Sequence, residues 1–167
     1  INSMQNPNLI LIDLDGTLVD SVPDLALCVD EMMAGIGRPP HGEAKVRDWV
    51  GNGVERLVKR ALVGQLEGEP DPAEFERAYP LFLELYARHN GERSRLYPGV
   101  REGLDRLAAG DGQLGCVTNK AAQFTEPLLE ALGIRDYFSI VISGDTLPRK
   151  KPDPLPLLHA AEHFGID

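Results

Sequence analysis

The sequence has no apolar run approaching the ~20 residues that a membrane-spanning helix needs, and no signal-peptide pattern opens it. Positive charge is also scarce, because 17 Lys and Arg stand against 26 Asp and Glu, which gives a formal net charge of −9. Nucleic acids and anionic membranes require a basic patch. We therefore expect a cytoplasmic protein with neither nucleic acid nor membrane as a partner.

Cysteine is nearly absent, with only Cys28 and Cys116 in the chain. Both lie among apolar residues on different predicted elements, and there is no Cys-x-x-Cys pair and no paired His. This pattern favours two buried thiols in a reducing compartment over a disulfide or a Cys/His metal site.

The main pattern in the sequence is an alternation of predicted strands and helices. The run Leu9–Ile12 is entirely aliphatic and predicts a strand buried on both faces, at the centre of a parallel sheet. Further strands are predicted at 114–118 and 138–142, with helices between them. A chain of 167 residues with 43% hydrophobic content is sufficient for one α/β domain with a Rossmann-like parallel sheet, or for a small core with an insert.

The segment between the first two strands carries only helix signals. We therefore predict a core formed by residues 1–20 and 93–167, and an all-helical cap formed by 21–92. Ser21 with Asp24 three residues later resembles a capping box, and Pro80 predicts a kink or break in the last cap helix. Placed over the carboxyl end of the first strand, such an insert would act as a lid.

Two carboxylates, Asp13 and Asp15, follow the first predicted strand, and Gly16 comes next. Ligands of open α/β sheets bind beyond the carboxyl ends of strands. Two crowded carboxylates need a cation, and oxygen ligands favour Mg²⁺. A simple Asp-Gly turn is the alternative interpretation.

The ends of the other two strands are polar as well. Thr118 and Asn119 follow the second strand, Asp145 follows the third, and Lys151 lies just beyond it. Together with Asp13 and Asp15, these residues provide a nucleophile, charge neutralisation and hydrogen bonds to phosphate oxygens, which are the parts that phosphoryl transfer needs.

The residues around these strand ends resemble the motifs of the haloacid dehalogenase (HAD) superfamily of phosphatases. The first motif is matched by Asp13-Leu14-Asp15-Gly16-Thr17-Leu18-Val19-Asp20-Ser21. Thr118 matches the second motif, and Lys151 in Lys-Pro-Asp-Pro matches the third. The helical insert and its segment 49–53 are similar to those of bacterial phosphoglycolate phosphatases within that superfamily.

The resemblance implies a role for each matching residue. Asp13 would attack phosphorus and become an aspartyl phosphate, and Asp15 would act as the general acid and base. Gly16 would let the backbone approach the phosphate, which Thr118, Asn119 and Lys151 would hold. Mg²⁺ would be bound by the Asp13 carboxylate and the Asp15 backbone carbonyl.

The substrate is expected to be a small phosphorylated metabolite, with 2-phosphoglycolate favoured. Its carboxylate needs a further donor, and Asn52 in the loop Gly51–Gly53 and the nearby Arg47 are candidates. A flexible turn between cap helices is the equally open alternative for that loop. Another ester such as a sugar phosphate, a phosphomutase activity and a non-catalytic phosphate-binding fragment are the other possibilities, and a monomer and a homodimer both stay open.

The superfamily's fourth motif, a Gly-Asp pair with further acids, has no counterpart before the sequence ends at Asp167. We expect the native chain to continue for several more α/β elements that complete the metal site. A product of only these residues would leave Leu9–Ile12 as an uncovered edge strand. Such a product is predicted to bind Mg²⁺ weakly, to hydrolyse little and to self-associate.

Overall fold

The computed structural model describes residues 7–166. They divide into two compact units. One contains the chain up to Asp20 and from Arg95 onward, and the other is Ser21–Ser94.

The first unit is an α/β layer built on a three-stranded parallel sheet. Its strands β1 (Leu9–Ile12), β4 (Gln113–Val117) and β5 (Ile140–Ile142) lie in the order β1-β4-β5. Ile12 of β1 pairs with Cys116 of β4, and Cys116 pairs with Val141 of β5. Two short strands, β2 (Val19–Asp20) and β3 (Arg95–Leu96), form a separate antiparallel pair. The remaining elements are α5 (Val100–Ala108), α6 (Ala122–Ala131), a 3₁₀ turn (Arg135–Tyr137) and α7 (Leu155–His163).

Apolar residues on the two faces of this sheet form two clusters. Leu14, Leu114 and Cys116 belong to the larger one, and Val117, Ile142 and Ala160 form the smaller one. Gly115 lies in the middle strand, where an added Cβ would come within 2.7 Å of the Leu11 side chain. The Leu11 side chain therefore fills the space that a side chain at position 115 of β4 would need. The predicted α/β fold class is confirmed.

The expectation of a central, fully buried first strand is wrong for the described residues. All four residues of β1, Leu9–Ile12, are only half-buried, and β1 lies at one end of the strand order. The reason is that, within residues 7–166, β4 is its sole neighbour in the sheet.

The second unit is all-helical. It contains α1 (Val22–Gly35), α2 (Glu43–Trp49), α3 (Val54–Val63) and α4 (Pro72–His89). Large side chains such as Met32, Met33, Phe82 and Tyr86 are completely buried. Nowhere in residues 7–166 is there a helix of the length and apolarity that crossing a membrane requires.

Of the kink or break predicted at Pro80, the break is absent, and the capping box predicted at Ser21 is not formed. Helix α4 runs through Pro80 without a break, because Ala78 and Phe82 on either side are fully buried and their burial offsets the one lost backbone hydrogen bond. Asp24 does not form a capping box. Its buried carboxylate instead accepts hydrogen bonds from the backbone N–H groups of Gly91, Arg93 and Ser94.

Candidate active site

Asp13 and Asp15 stand directly after β1, and each carboxylate faces a lysine. The Lys151 ammonium lies 3.0 Å from Asp13 Oδ1, and the Lys120 ammonium lies 3.3 and 3.4 Å from the two oxygens of Asp15. Asp13 Oδ1 also accepts the backbone N–H of Leu14 at 2.8 Å. The two side chains keep 44% and 36% of their exposure, so both carboxylates are open to solvent and to ligands.

Lys151 is held in place by the end of β4. Its ammonium donates to the carbonyl oxygen of Val117 at 2.7 Å, while the Asn119 side-chain amide donates to the Lys151 carbonyl at 2.8 Å. Two strand ends and the segment after β5 thus converge on Asp13. Asn119, predicted to hold phosphate, orients the Lys151 backbone in this structure.

Thr118 is buried at the end of β4, and its backbone N–H donates to Ile142 on the neighbouring strand at 2.9 Å. Its hydroxyl oxygen accepts the backbone N–H of Lys120 at 3.2 Å. Because the oxygen acts as the acceptor there, its O–H can still donate to an incoming phosphate oxygen.

Lys120 is the residue of this site that the sequence interpretation missed. Its side chain is only 6% exposed, and it reaches a carboxylate that is 105 positions away in the sequence. The one signal was its place after Thr118 and Asn119 at a strand end, which is where site residues of parallel sheets collect. Spacing alone could not indicate which carboxylate it faces.

Two turns next to the carboxylates need glycine. Gly16 has a φ of +77°, a left-handed value that other residues rarely adopt, and its N–H donates to Val19 at 2.9 Å. At Gly144 an added Cβ would lie 2.1 Å from the carbonyl oxygen of Asn119, so only glycine fits there. The neighbouring Asp145 accepts the Ala122 N–H at 2.8 Å, so it serves the start of α6.

A thiol lies at the level of the carboxylates. Cys116 faces Ile12 across the sheet and is fully buried. Burial, with the negative charges of Asp13 and Asp15 adding to it, raises the pKa of this thiol to about 12. Cys116 therefore stays a protonated packing residue.

The two residues predicted to select the substrate both belong to the helical unit. Arg47 lies in the last turn of α2, where it pairs with Glu43 at 3.0 Å, and Asn52 is exposed in the loop that follows that helix. Their role stays a prediction.

The donor set at the end of β1 consists of oxygen atoms alone. In the described part of the chain, no group of three or more His, Cys, Asp and Glu residues is arranged to hold a metal. Asp13 and Asp15 contribute two half-exposed carboxylates. Such a pair suits Mg²⁺, which keeps several waters and binds through one or two carboxylates together with substrate phosphate.

Known proteins are similar to this chain in sequence and in fold. The family model for haloacid dehalogenase-like hydrolases matches residues 10–167. A phosphoglycolate phosphatase of Nitrosococcus oceani is 64% identical over 163 residues, which are 98% of this chain and 72% of that protein. A phosphoglycolate phosphatase of Nitrosospira multiformis is 52% identical, with 94% of this chain and 69% of that protein covered.

The fold agrees with a crystal structure from Haemophilus somnus 129pt, described as a predicted phosphoglycolate phosphatase. It superimposes with a TM-score of 0.87 at 38% identity, covering 98% of this chain and 74% of the other. The predictions of an enzyme and of a phosphatase are confirmed by these relatives. The chain belongs to the haloacid dehalogenase-like hydrolases, the superfamily that its motifs resemble.

Proposed function

We propose that this protein is a Mg²⁺-dependent phosphatase that converts 2-phosphoglycolate to glycolate and phosphate through an aspartyl-phosphate intermediate. The observation that carries the proposal is the pairing of Asp13 with Lys151 and of Asp15 with Lys120 at the end of β1. A phosphate dianion brought to two uncompensated carboxylates would be repelled. One lysine for each carboxylate removes that barrier.

In the first half-reaction, a carboxylate oxygen of Asp13 attacks phosphorus while the bond between phosphorus and the ester oxygen breaks. Asp15, carrying the proton that it takes from water in the second half-reaction of the preceding turnover, gives it to the departing alkoxide, so glycolate leaves as an alcohol. Lys151 orients the nucleophile, with Thr118 donating to a phosphate oxygen as its charge redistributes.

In the second half-reaction, water attacks the phosphorus of the aspartyl phosphate. Asp15 now takes a proton from that water, and the bond between phosphorus and the Asp13 oxygen breaks. Phosphate departs and the Asp13 carboxylate is restored. Lys120 keeps the Asp15 carboxylate in a fixed position between the two steps, since it contacts both oxygens.

Asp13 and Asp15 are the residues that would hold Mg²⁺. When bound there, Mg²⁺ would supply positive charge for the phosphate oxygens. The same two residues remain the nucleophile and the acid/base, and Lys151 neutralises part of the Asp13 charge.

The choice of 2-phosphoglycolate is supported by the names of two relatives at 64% and 52% identity. Its carboxylate needs donors that the phosphate does not use, and Asn52 and Arg47 are the proposed ones. We place the enzyme in the cytoplasm, because Cys28 and Cys116 are buried free thiols.

The experiment is Asp13→Asn, assayed for phosphate release from 2-phosphoglycolate and from a panel of sugar phosphates with Mg²⁺ present. Asn keeps the shape of the side chain and is a poor nucleophile, so kcat is expected to fall by roughly 10⁴-fold or more. The matched control is Asp111→Asn in an exposed turn, which should leave kcat unchanged. A folded Asp13→Asn protein with wild-type turnover contradicts the proposal, and preference for a sugar phosphate contradicts the substrate.

A further inference from the structure

Helix α6 begins without a capping side chain of its own. Its N-cap is Ala121, which has no oxygen to offer to the first N–H groups of the helix, and its first turn contains no acidic residue. Asp145, which follows β5, supplies that oxygen, because its Oδ1 accepts the backbone N–H of Ala122, 23 positions earlier, at 2.8 Å. A carboxylate at this place also faces the positive end of the helix dipole. The loop after β5 therefore caps the helix that follows β4.

Backbone contacts hold the same two loops together. The Gly144 N–H donates to the carbonyl oxygen of Lys120 at 2.8 Å. The hydroxyl of Thr125, a completely buried residue of α6, donates to that carbonyl at 3.2 Å and to the carbonyl of Ala121 at 3.0 Å. The turn 119–122 is thus held from two sides, by the loop after β5 and by the first residues of α6.

Lys120 extends from this turn to the acid/base of the site. Its ammonium lies 3.3 and 3.4 Å from the two oxygens of Asp15, and its side chain is only 6% exposed. A lysine ammonium is a point charge on a flexible four-carbon stem, so it has no preferred geometry of its own. Its position is therefore set by the backbone from which the stem starts, and the Asp145 carboxylate fastens that backbone at Ala122.

We propose that Asp145 is a positioning residue: by capping α6 it fixes the turn 119–122, and through Lys120 it holds Asp15 ready to protonate the leaving group. All of these residues belong to the sheet unit. The inference rests on the proposed function, since it takes Asp15 as the general acid. It adds that protonation of the leaving group depends on an exposed carboxylate whose own hydrogen bond is to the backbone of α6.

The first measurement follows Lys120 itself and needs no activity. Trace acetylation with acetic anhydride, quantified for each lysine by mass spectrometry, compares Asp145→Ala, Asp145→Asn and the control Asp111→Ala in an exposed turn. In Asp145→Ala, labelling of Lys120 relative to the exposed Lys150 should rise about fivefold, within the range for a lost helix cap. Asp145→Asn should stay within about twofold of the wild type, because Asn and Asp are equally good caps. Asp111→Ala should match the wild type.

Kinetics with two leaving groups test the step itself. The ratio kcat/KM includes the departure of the leaving group. The alkoxide of 2-phosphoglycolate needs a proton to leave, whereas the phenolate of p-nitrophenyl phosphate leaves without one. In Asp145→Ala we expect kcat/KM to fall about fivefold for 2-phosphoglycolate and less than about twofold for p-nitrophenyl phosphate. Asp145→Asn should recover most of the loss.

A double variant separates positioning through Lys120 from a general loosening of the fold. In the Lys120→Met background, Asp145→Ala should change kcat/KM for 2-phosphoglycolate by no more than about twofold, because residues that act through one contact are not additive. An independent structural effect would instead multiply with the Lys120→Met loss. Thermal melts confirm that each variant is folded. If Asp145→Ala does not fold, Asp145→Glu, which keeps the charge and displaces the oxygen, carries the comparison.

Unchanged labelling of Lys120 in Asp145→Ala would overturn the anchoring of the turn. Equal losses for the two leaving groups, or a full further loss in the double variant, would overturn the role in leaving-group protonation. If the wild-type enzyme does not hydrolyse 2-phosphoglycolate, the proposed function fails by itself, and the labelling experiment still decides whether Asp145 fixes Lys120.

Discussion

Removal of the Asp24 carboxylate should destabilise the helical unit more than any surface change in it. Asp24 is fully buried near the start of α1 and accepts N–H groups from Gly91 at 2.9 Å, Arg93 at 2.7 Å and Ser94 at 3.0 Å. The Ser94 hydroxyl is a fourth donor to it. This carboxylate therefore fastens the chain beyond α4 to the first turn of α1.

The magnitude follows from the groups that lose their acceptor. Asp24→Ala removes the acceptor of three backbone N–H groups and one hydroxyl, and a buried donor that loses its acceptor costs about 1–3 kcal/mol, less where it is open to water as at Arg93. Allowing for relaxation and partial access of water, the free energy of unfolding should fall by about 3–5 kcal/mol, typical of breaking a buried charged network. With a urea m-value of about 2 kcal/mol/M, the unfolding midpoint moves down by roughly 2 M.

The assay is urea unfolding followed by Trp49 fluorescence, because this tryptophan lies in the same unit as Asp24. Asp30→Ala is the matched control. Asp30 lies on the same helix, is only half-buried and accepts just the N–H groups of His41 and Gly42, so its loss should cost about 1–2 kcal/mol. A midpoint for Asp24→Ala that is no lower than that of Asp30→Ala would refute the reasoning.

Two further predictions concern the sheet unit and the thiols. Lys120→Met should lower kcat about 10- to 100-fold, because it releases the Asp15 carboxylate. The control Lys150→Met, on the exposed loop, should leave kcat unchanged. Steady-state kinetics with matched melting curves measures both effects. Burial raises the pKa of both Cys28 and Cys116 to about 12, so the reactive thiolate stays scarce as pH rises from 7 towards that value. Ellman's reagent should therefore label neither thiol of the folded protein at pH 8 and both in denaturant, and rapid labelling of the native protein would contradict the burial.

The strand ends could be predicted from sequence because their signals are local. An aliphatic run that stops at Asp13 predicts both a strand and the place where a ligand binds, although β1 is less buried than the run suggests. The same logic applies to Thr118 after β4. Their convergence follows from parallel pairing, which the alternation of helices and strands indicates.

Other features depend on partners that sequence spacing does not identify. Asp24 is a residue type that commonly caps helices. Its carboxylate oxygens instead accept hydrogen bonds from backbone N–H groups almost seventy positions later. Lys120 and Arg60 are ordinary charged residues by composition, and only the tertiary fold buries them beside Asp15 and Trp49. The break expected at Pro80 fails for a related reason, since burial on both sides of a proline outweighs its local preference.

The short pair of β2 and β3 has a consequence for how this chain can change. Val19 lies opposite Leu96 and Asp20 lies opposite Arg95, so the helical unit begins and ends at neighbouring points of one antiparallel ribbon. Directly opposed residues of such a ribbon have Cα atoms only about 4.5–5.5 Å apart, a gap that a tight hairpin turn spans. The residues between Asp20 and Arg95 therefore form an insertion in the sheet unit. They could be shortened, exchanged or replaced by a turn without altering the register of the parallel sheet.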